Sequence, residues 1–244
     1  MSPATRKASG AQKGGSKARS KAAGGRRPRA RGRSRRRVVI TAGPTREYID
    51  PVRYMTNESS GRMGFALAQS AVQAGYDVTL VAGPVTLETP EGVRRVDVVS
   101  ARDMLAAVRE AFEGADALFM AAAVADWRPA RERAGKWRAK DSGAETTSLE
   151  LKRNPDILKT VAKDKGDRLV VGWALETGDG IRRARRKLRV KGADYVVLND
   201  ASALNSRKVS VVILGGDGSQ RRIENRSKDA VADAIVGLLE HHES

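Results

Sequence analysis

Between Val38 and Gly64 the chain reads VVITAGPTREYIDPVRYMTNESSGRMG, and its polar residues suit a reaction between anions. Arg53 can hold a phosphate or a carboxylate, or pair on the surface with Glu47 or Asp50. Asn57 offers an amide that donates to a carbonyl or phosphate oxygen where charge develops, or it serves as a turn residue. Ser59, Ser60 and Gly61 lead into Met63, Phe65, Ala66, Leu67, Ala68 and Ala71, an apolar helical pattern. A helix starting there leaves backbone N–H groups pointing outward, and its dipole adds positive potential, which makes a seat for phosphate. Upstream, Val38 to Thr41 read as a short buried strand that Ala42-Gly43-Pro44 cannot easily continue, so Gly43 marks the strand's carboxyl end.

Further candidates follow along the chain. Asp126 comes after an apolar run, where a carboxylate accepts hydrogen bonds from ribose hydroxyls, holds Mg²⁺, or caps the next turn. Asn154-Pro155-Asp156 reads as a helix start, with Asn154 as cap and Pro155 first in the helix, so Pro155, Asp156, Ile157 and Leu158 form a second anion-binding N-terminus. Lys187 and Lys191 are spaced i, i+4. Like charges at that spacing repel, and either a bound anion or an exposed basic face explains them. Trp173 packs in the core or lays a flat ring against a base. The chain has no cysteine, so disulfides and Cys metal sites are excluded. Its two histidines, His241 and His242, are terminal, which argues against histidine catalysis.

These residues need a scaffold. Apolar runs at Asp77–Ala82, Arg94–Val99, Ala117–Ala123, Leu169–Trp173 and Asp194–Leu198 read as strands, with a short one at Thr147–Lys152. Helical spacing covers Ala101–Phe112, Gly180–Val190 and Lys228–Leu239. Val209–Leu214 and Gln220–Ile223 flank GGDG as a hairpin. Residues 127–147 look irregular. The alternation predicts an α/β fold, a Rossmann-like, mostly parallel sheet with helices on both faces. Ligands in such sheets bind beyond the carboxyl ends of the strands, where Gly43, Ala82-Gly83 and Ala122–Asp126 fall. The excursion from Gly43 to Ser60 is long for a strand-to-helix turn, and loops beyond about 12–15 residues are usually functional or disordered.

The net charge of +17 is unevenly spread. Residues 1–37 hold 14 Lys and Arg and no acid, leaving 32 basic against 29 acidic residues in 38–244. The first segment has no Val, Leu, Ile or Phe and cannot bury enough surface to order itself, so a disordered basic tail is expected before one catalytic domain at 38–244. Such a tail is a solvated appendage or binds nucleic acid without sequence preference. It lacks the apolar core of a secretory signal and the apolar face of a transit peptide. No apolar run approaches the ~20 residues that span a bilayer. The absence of cysteine suits a reducing cytosol.

The opening stretch resembles the first motif of the phosphopantothenoylcysteine synthetases. AAAVADWRP (121–129) with Lys136 beyond it, LKRNPDIL (151–158), and VVGWALET (170–177) running to KGADYVVLND (191–200) are similar to the same family. The resemblance covers roughly Arg37 to His241. It implies a cytoplasmic ligase that joins 4′-phosphopantothenate and L-cysteine through an acyl-cytidylate, releasing CMP and pyrophosphate, in coenzyme A biosynthesis. It implies CTP as co-substrate, Mg²⁺, no flavin and a homodimer. By the same resemblance Asn57 acts on the acyl intermediate and Arg53 matches the family's arginine. Asp126 and Trp173 meet the nucleotide, Lys136 is the cation over the α-phosphate, and Lys187 and Lys191 belong to the site. Lys136-Trp137-Arg138-Ala139-Lys140 departs from the family's lysine-rich pattern, and Trp173 stands where phenylalanine is usual. The alternatives are nucleic-acid binding through the tail and a short-chain-type nicotinamide oxidoreductase. The latter normally needs Tyr-xxx-Lys, and none of Tyr48, Tyr54, Tyr76 and Tyr195 has lysine four residues on.

Overall fold

The computed structural model describes residues 35–138, 145–176, 178–200 and 208–242. The tail expectation, for residues 1–34, and Lys140 lie outside the described residues.

Apolar β-branched runs build the centre. β1 (Arg37–Ala42) is buried from Val38 onward on both faces, as a strand covered by helices above and below must be. It pairs in parallel with β4 (Asp77–Ala82) on one side and β6 (Ala117–Met120) on the other. β4 pairs with β5 (Val93–Asp97), and β6 with β9 (Leu169–Glu176). β10 (Tyr195–Asp200) continues the parallel set beside β9. The hairpin of β11 (Lys208–Gly215) and β12 (Gln220–Ser227) closes it in antiparallel pairing. The order of the eight strands is β12-β11-β10-β9-β6-β1-β4-β5. Winding runs outward from β1 through β4 and β5, then returns to β6 on β1's other side, so the direction reverses between β1 and β6.

Helices cover both faces, as the sequence predicts. α1 (Arg62–Gln73) and α5 (Lys228–Val236) share one apolar layer with Val38, Ile40, Phe119 and Ile213, and the short α6 (Leu238–His241) ends it. α2 (Ala101–Phe112), α3 (Ile157–Ala162) and α4 (Gly180–Lys191) share the other with Val39, Leu118, Val170 and Val196. α2 starts on a capping box, with Ser100 Oγ accepting from Asp103 N and Asp103 Oδ2 from Ser100 N. The buried Glu47 carboxylate adds a bond from Ala101 N at 2.9 Å.

Four expectations need correcting. The 43–60 excursion is not a plain loop: it contains a ribbon of β2 (Arg46–Tyr48) and β3 (Tyr54–Thr56). The irregular stretch likewise holds β7 (Trp127–Pro129), paired with β8 (Leu151–Arg153), which replaces the strand expected at Thr147–Lys152. α3 is capped by Asp156, whose side chain accepts from Lys159 N at 3.0 Å. Asn154 is not its cap and Pro155 lies outside the helix. Asn154 is taken by a longer-range task described below, which leaves the cap to the next acid. β1 begins at Arg37, one residue before the boundary expected from composition.

Close backbone approach sets α1 on β1. A Cβ on Gly64 would lie 2.5 Å from Ala42 Cβ and 2.8 Å from Thr41 O. Gly64→Ala is therefore expected to destabilise the fold by about 1–3 kcal/mol through overpacking. Thermal unfolding should show a Tm lowered by several degrees; an unchanged Tm would mean that α1 is free to shift.

Candidate functional site

Beyond the carboxyl ends of β1 and β6 the two chains stay zipped. Ala123 N donates to Gly43 O at 2.9 Å, and Pro44 bridges Ala123. Two buried threonines continue the zip: Thr41 Oγ1 accepts from Ala122 N at 3.1 Å and Thr45 Oγ1 from Ala125 N at 3.0 Å. The strand ends thus form a rigid floor. Gly43 belongs to it. Its φ of 75° and the 2.9 Å between its built Cβ and Val85 Cγ1 suit only glycine. Gly61 lies over it, since a Cβ there would be 3.3 Å from Gly43 N. Gly43, expected against a ligand, lines neither cavity described below and instead lets α1 approach the floor.

Two cavities open on that floor. One, of about 540 Å³, is lined by Asn57, Ser59, Ser60, Gly61, Arg62 and neighbours at the start of α1. The other, of about 450 Å³, is lined by Pro155, Asp156, Ile157, Leu158, Lys191 and neighbours at α3 and α4. Asp126, Trp173 and Lys187 line both. The cavities therefore adjoin along a wall that carries one anion, one aromatic ring and one cation.

Gly61, with φ 74°, enters α1 without a side-chain cap, so the first N–H groups of a twelve-residue helix stay available beside Ser59 and Ser60. Asn57 spans the crevice, its Nδ2 donating to Val124 O at 3.0 Å and to Ala123 O at 3.4 Å. Both partners are carbonyl oxygens, so the NH₂ must face them and Oδ1 is the atom turned elsewhere. The Asn57 amide nitrogen, which the sequence reading offers as a donor, is thus engaged by backbone carbonyls, and Oδ1 is the atom left able to accept.

The second cavity is braced by Asn154. Its Nδ2 donates to Ala125 O at 2.8 Å, its N–H to Asp126 O at 2.8 Å, and its Oδ1 accepts from Arg128 at 2.8 Å. These bonds fix Asp126 at the border. Lys187 donates to Trp173 O, and Lys191 pairs with Asp156. That ion pair offsets the repulsion between the two lysines without any bound anion. Burial, then the nearby Lys191 charge, pushes the Lys187 ammonium below its ordinary range, against the pull of Asp156, Glu176 and Asp126. The Trp173 indole N–H is buried without a partner.

Arg53 and Lys136 are not in this lining. Arg53 stands at the tip of the β2–β3 ribbon, 3.6 Å from Asp50 and 45% exposed, which is the surface pairing the sequence allowed. Lys136 is exposed on the segment docked against that ribbon. Sequence reading missed the threonine zip, the Asn154 brace and Arg62 and Lys228 in the first cavity. Apart from Arg62, which directly follows Gly61, these depend on contacts between distant segments.

A protein family described as the DNA/pantothenate metabolism flavoprotein C-terminal domain matches residues 33–242. The chain belongs to this family. Among its relatives, the coenzyme A biosynthesis bifunctional protein CoaBC of Vibrio cholerae serotype O1 is 45% identical over 212 residues, 84% of this chain and 52% of that protein. The crystal structure of the C-terminal domain of CoaBC matches with a TM-score of 0.73 at 40% identity, covering 84% of this chain and 94% of that one. Cab2, in a mutant complex with phosphopantothenate-cysteine, has the same fold, with a TM-score of 0.71 at 17% identity over 85% of this chain and 86% of that one. The chain spans about half the length of the curated CoaBC relatives it matches.

A polyanion bound on the shared wall would favour the Lys187 charge that burial opposes, so binding takes up a proton once pH rises into that lysine's lowered range. The affinity for inorganic triphosphate, read by calorimetry, is expected to fall as pH rises, starting below the ordinary lysine range, by up to about tenfold per pH unit. Lys187→Met should bind more weakly and lose that dependence. An identical pH profile in the variant would remove Lys187 from the anion site.

Proposed function

We propose that residues 38–244 form a ligase domain that joins 4′-phosphopantothenate to L-cysteine with CTP. Two adjoining cavities meeting at Asp126, Trp173 and Lys187, in a chain of this family, carry the reading. One seat per bound reactant, with a shared border, is what an acyl-nucleotide reaction needs. Positioning of two reactants is worth several kcal/mol of barrier.

The first cavity takes the phospho-acid, its phosphate against the first N–H groups of α1, beside Ser59, Ser60 and Gly61. The second takes the nucleotide, beside Pro155, Asp156, Ile157 and Leu158. Trp173 lies against the base, and Lys187 and Lys191 offset phosphate charge. Asp126, exposed on the border, is a single carboxylate, and the described residues contain no group of three metal-binding side chains. That fits Mg²⁺, which keeps water and substrate phosphate ligands around one or two carboxylates. The metal supplies charge neutralisation on the triphosphate.

In the first step a carboxylate oxygen of the acid attacks the α-phosphorus, and the bond to pyrophosphate breaks. Lys136 and Arg53 stabilise the charge that develops there. In the second step the cysteine amine, as the free base, attacks the acyl carbon, the carbon–oxygen bond breaks, CMP leaves, and the nitrogen's proton passes to solvent. Asn57 Oδ1 orients the amine by accepting one of its N–H groups. No side-chain nucleophile is used, because the substrates supply both. The reading carries a homodimer and a cytoplasmic location with it and gives this domain no flavin.

Pyrophosphate release by purified protein with Mg²⁺ and 4′-phosphopantothenate tests it, comparing CTP with ATP. Cysteine-dependent turnover with CTP is expected. Loss of one electrostatic contact costs roughly 10²–10³ in rate, so Lys136→Ala should slow pyrophosphate release by that factor. Asn57→Ala should keep a stoichiometric pyrophosphate burst while amide formation slows. Turnover with ATP alone would overturn the choice of nucleotide, and no turnover from folded protein would overturn the reaction.

A further inference from the structure

Asp50 lies at the tip of the β2–β3 ribbon and is fully buried. One oxygen closes the tip: Oδ1 accepts from Val52 N and Arg53 N, each at 2.8 Å. A turn aspartate needs no more than that. The second oxygen reaches far along the chain, where Oδ2 accepts from Trp137 N at 3.0 Å, 87 residues away. The same oxygen faces the Arg53 guanidinium at 3.6 Å. Arg133 N adds a bond to Ile49 O at 2.9 Å, and its guanidinium stacks on the Trp137 ring at 4.1 Å. The segment 133–137 is thus strapped to the ribbon, and Lys136 sits immediately before the residue held by Asp50.

We propose that Asp50 is a positioning residue for nucleotide activation, holding Lys136 and Arg53 in one rigid unit. The inference rests on the roles given above to those two cations. Neither lies in the lining of the two cavities, so each must be presented to the reacting phosphate from outside, and Asp50 holds the residue directly after the exposed lysine. A flexible lysine stem loses rotamer entropy when it is held, so fixing its backbone is the contribution the scaffold can make. Burying a carboxylate costs heavily unless it is paired and hydrogen-bonded, and three N–H donors and a guanidinium meet that demand. The Trp137 N–H, opposed by burial and aided by the Val52 and Arg53 N–H groups, holds the Asp50 carboxyl below its usual range. It therefore stays anionic wherever the reaction runs.

Asp50→Asn separates the two oxygens' tasks. Its Oδ1 keeps the turn, but an NH₂ in place of Oδ2 meets the Trp137 N–H donor to donor. Hydrogen exchange at Trp137 is expected to quicken, while Val52 and Arg53 stay protected. The kcat for pyrophosphate release should fall by roughly 10–100-fold, as an ångström-scale misplacement does, with both substrate KM values within about threefold. Added to Lys136→Ala, the substitution should cost far less than it does alone, the remainder acting through Arg53. Trp137→Pro, which deletes the N–H from the other side, should reproduce the loss and guards against a misfolded Asp50 variant. Unchanged kcat in both variants with wild-type chain active would overturn the proposal alone, as would multiplicative losses in the double variant. An inactive wild-type chain would overturn the ligase reading and this role with it.

Discussion

The reversal of winding between β1 and β6 is the constraint on which the rest depends. Parallel strands leave their carboxyl ends on one edge, and helices that depart in opposite directions open a crevice there. Here the crevice is floored by backbone and by two buried threonine hydroxyls. Ala123 N bonds Gly43 O, and Thr41 and Thr45 hold Ala122 and Ala125. Gly43, Gly61 and Gly64 let α1 descend onto that floor. A side chain at any of these points would lift the helix start, and with it the free N–H groups and Asn57.

Charge is organised in two tiers above the floor. The inner tier is Lys187 at the shared wall, beside the Lys191–Asp156 pair. Burial opposes the Lys187 charge, which a bound anion would favour. The outer tier is Arg53 and Lys136 on the ribbon and strap, tied through Asp50. The inner tier is built on strands and a helix, while the outer one rides on a two-stranded ribbon and irregular chain. That division suits a reaction in which binding is fixed and activation needs approach from outside.

The sheet was legible in the sequence because its strands are continuous apolar runs, and β4 falls where Asp77–Ala82 was read. The motif residues around the two cavities were legible too, since short-range pattern places Ser59–Gly61 at a helix start and Asp126 past a strand. Long-range pairing was not. The β7–β8 ribbon joins segments far apart in the chain, and β2–β3 is too short to show alternation. Asn154-Pro155-Asp156 offers two capping residues, and only the fold reveals that Asn154 is spent bracing Ala125 and Asp126. Asp50 reads as a turn residue because half of its bonding lies 87 residues away.

The central claim is that a substrate carboxylate oxygen becomes bonded to the nucleotide's α-phosphorus in the crevice. Oxygen-18 in the carboxylate of 4′-phosphopantothenate follows that oxygen through the reaction, with products read by mass spectrometry. The account predicts one labelled oxygen in CMP and none in pyrophosphate for every amide formed. Label in inorganic phosphate, or amide formation with unlabelled CMP, would contradict it.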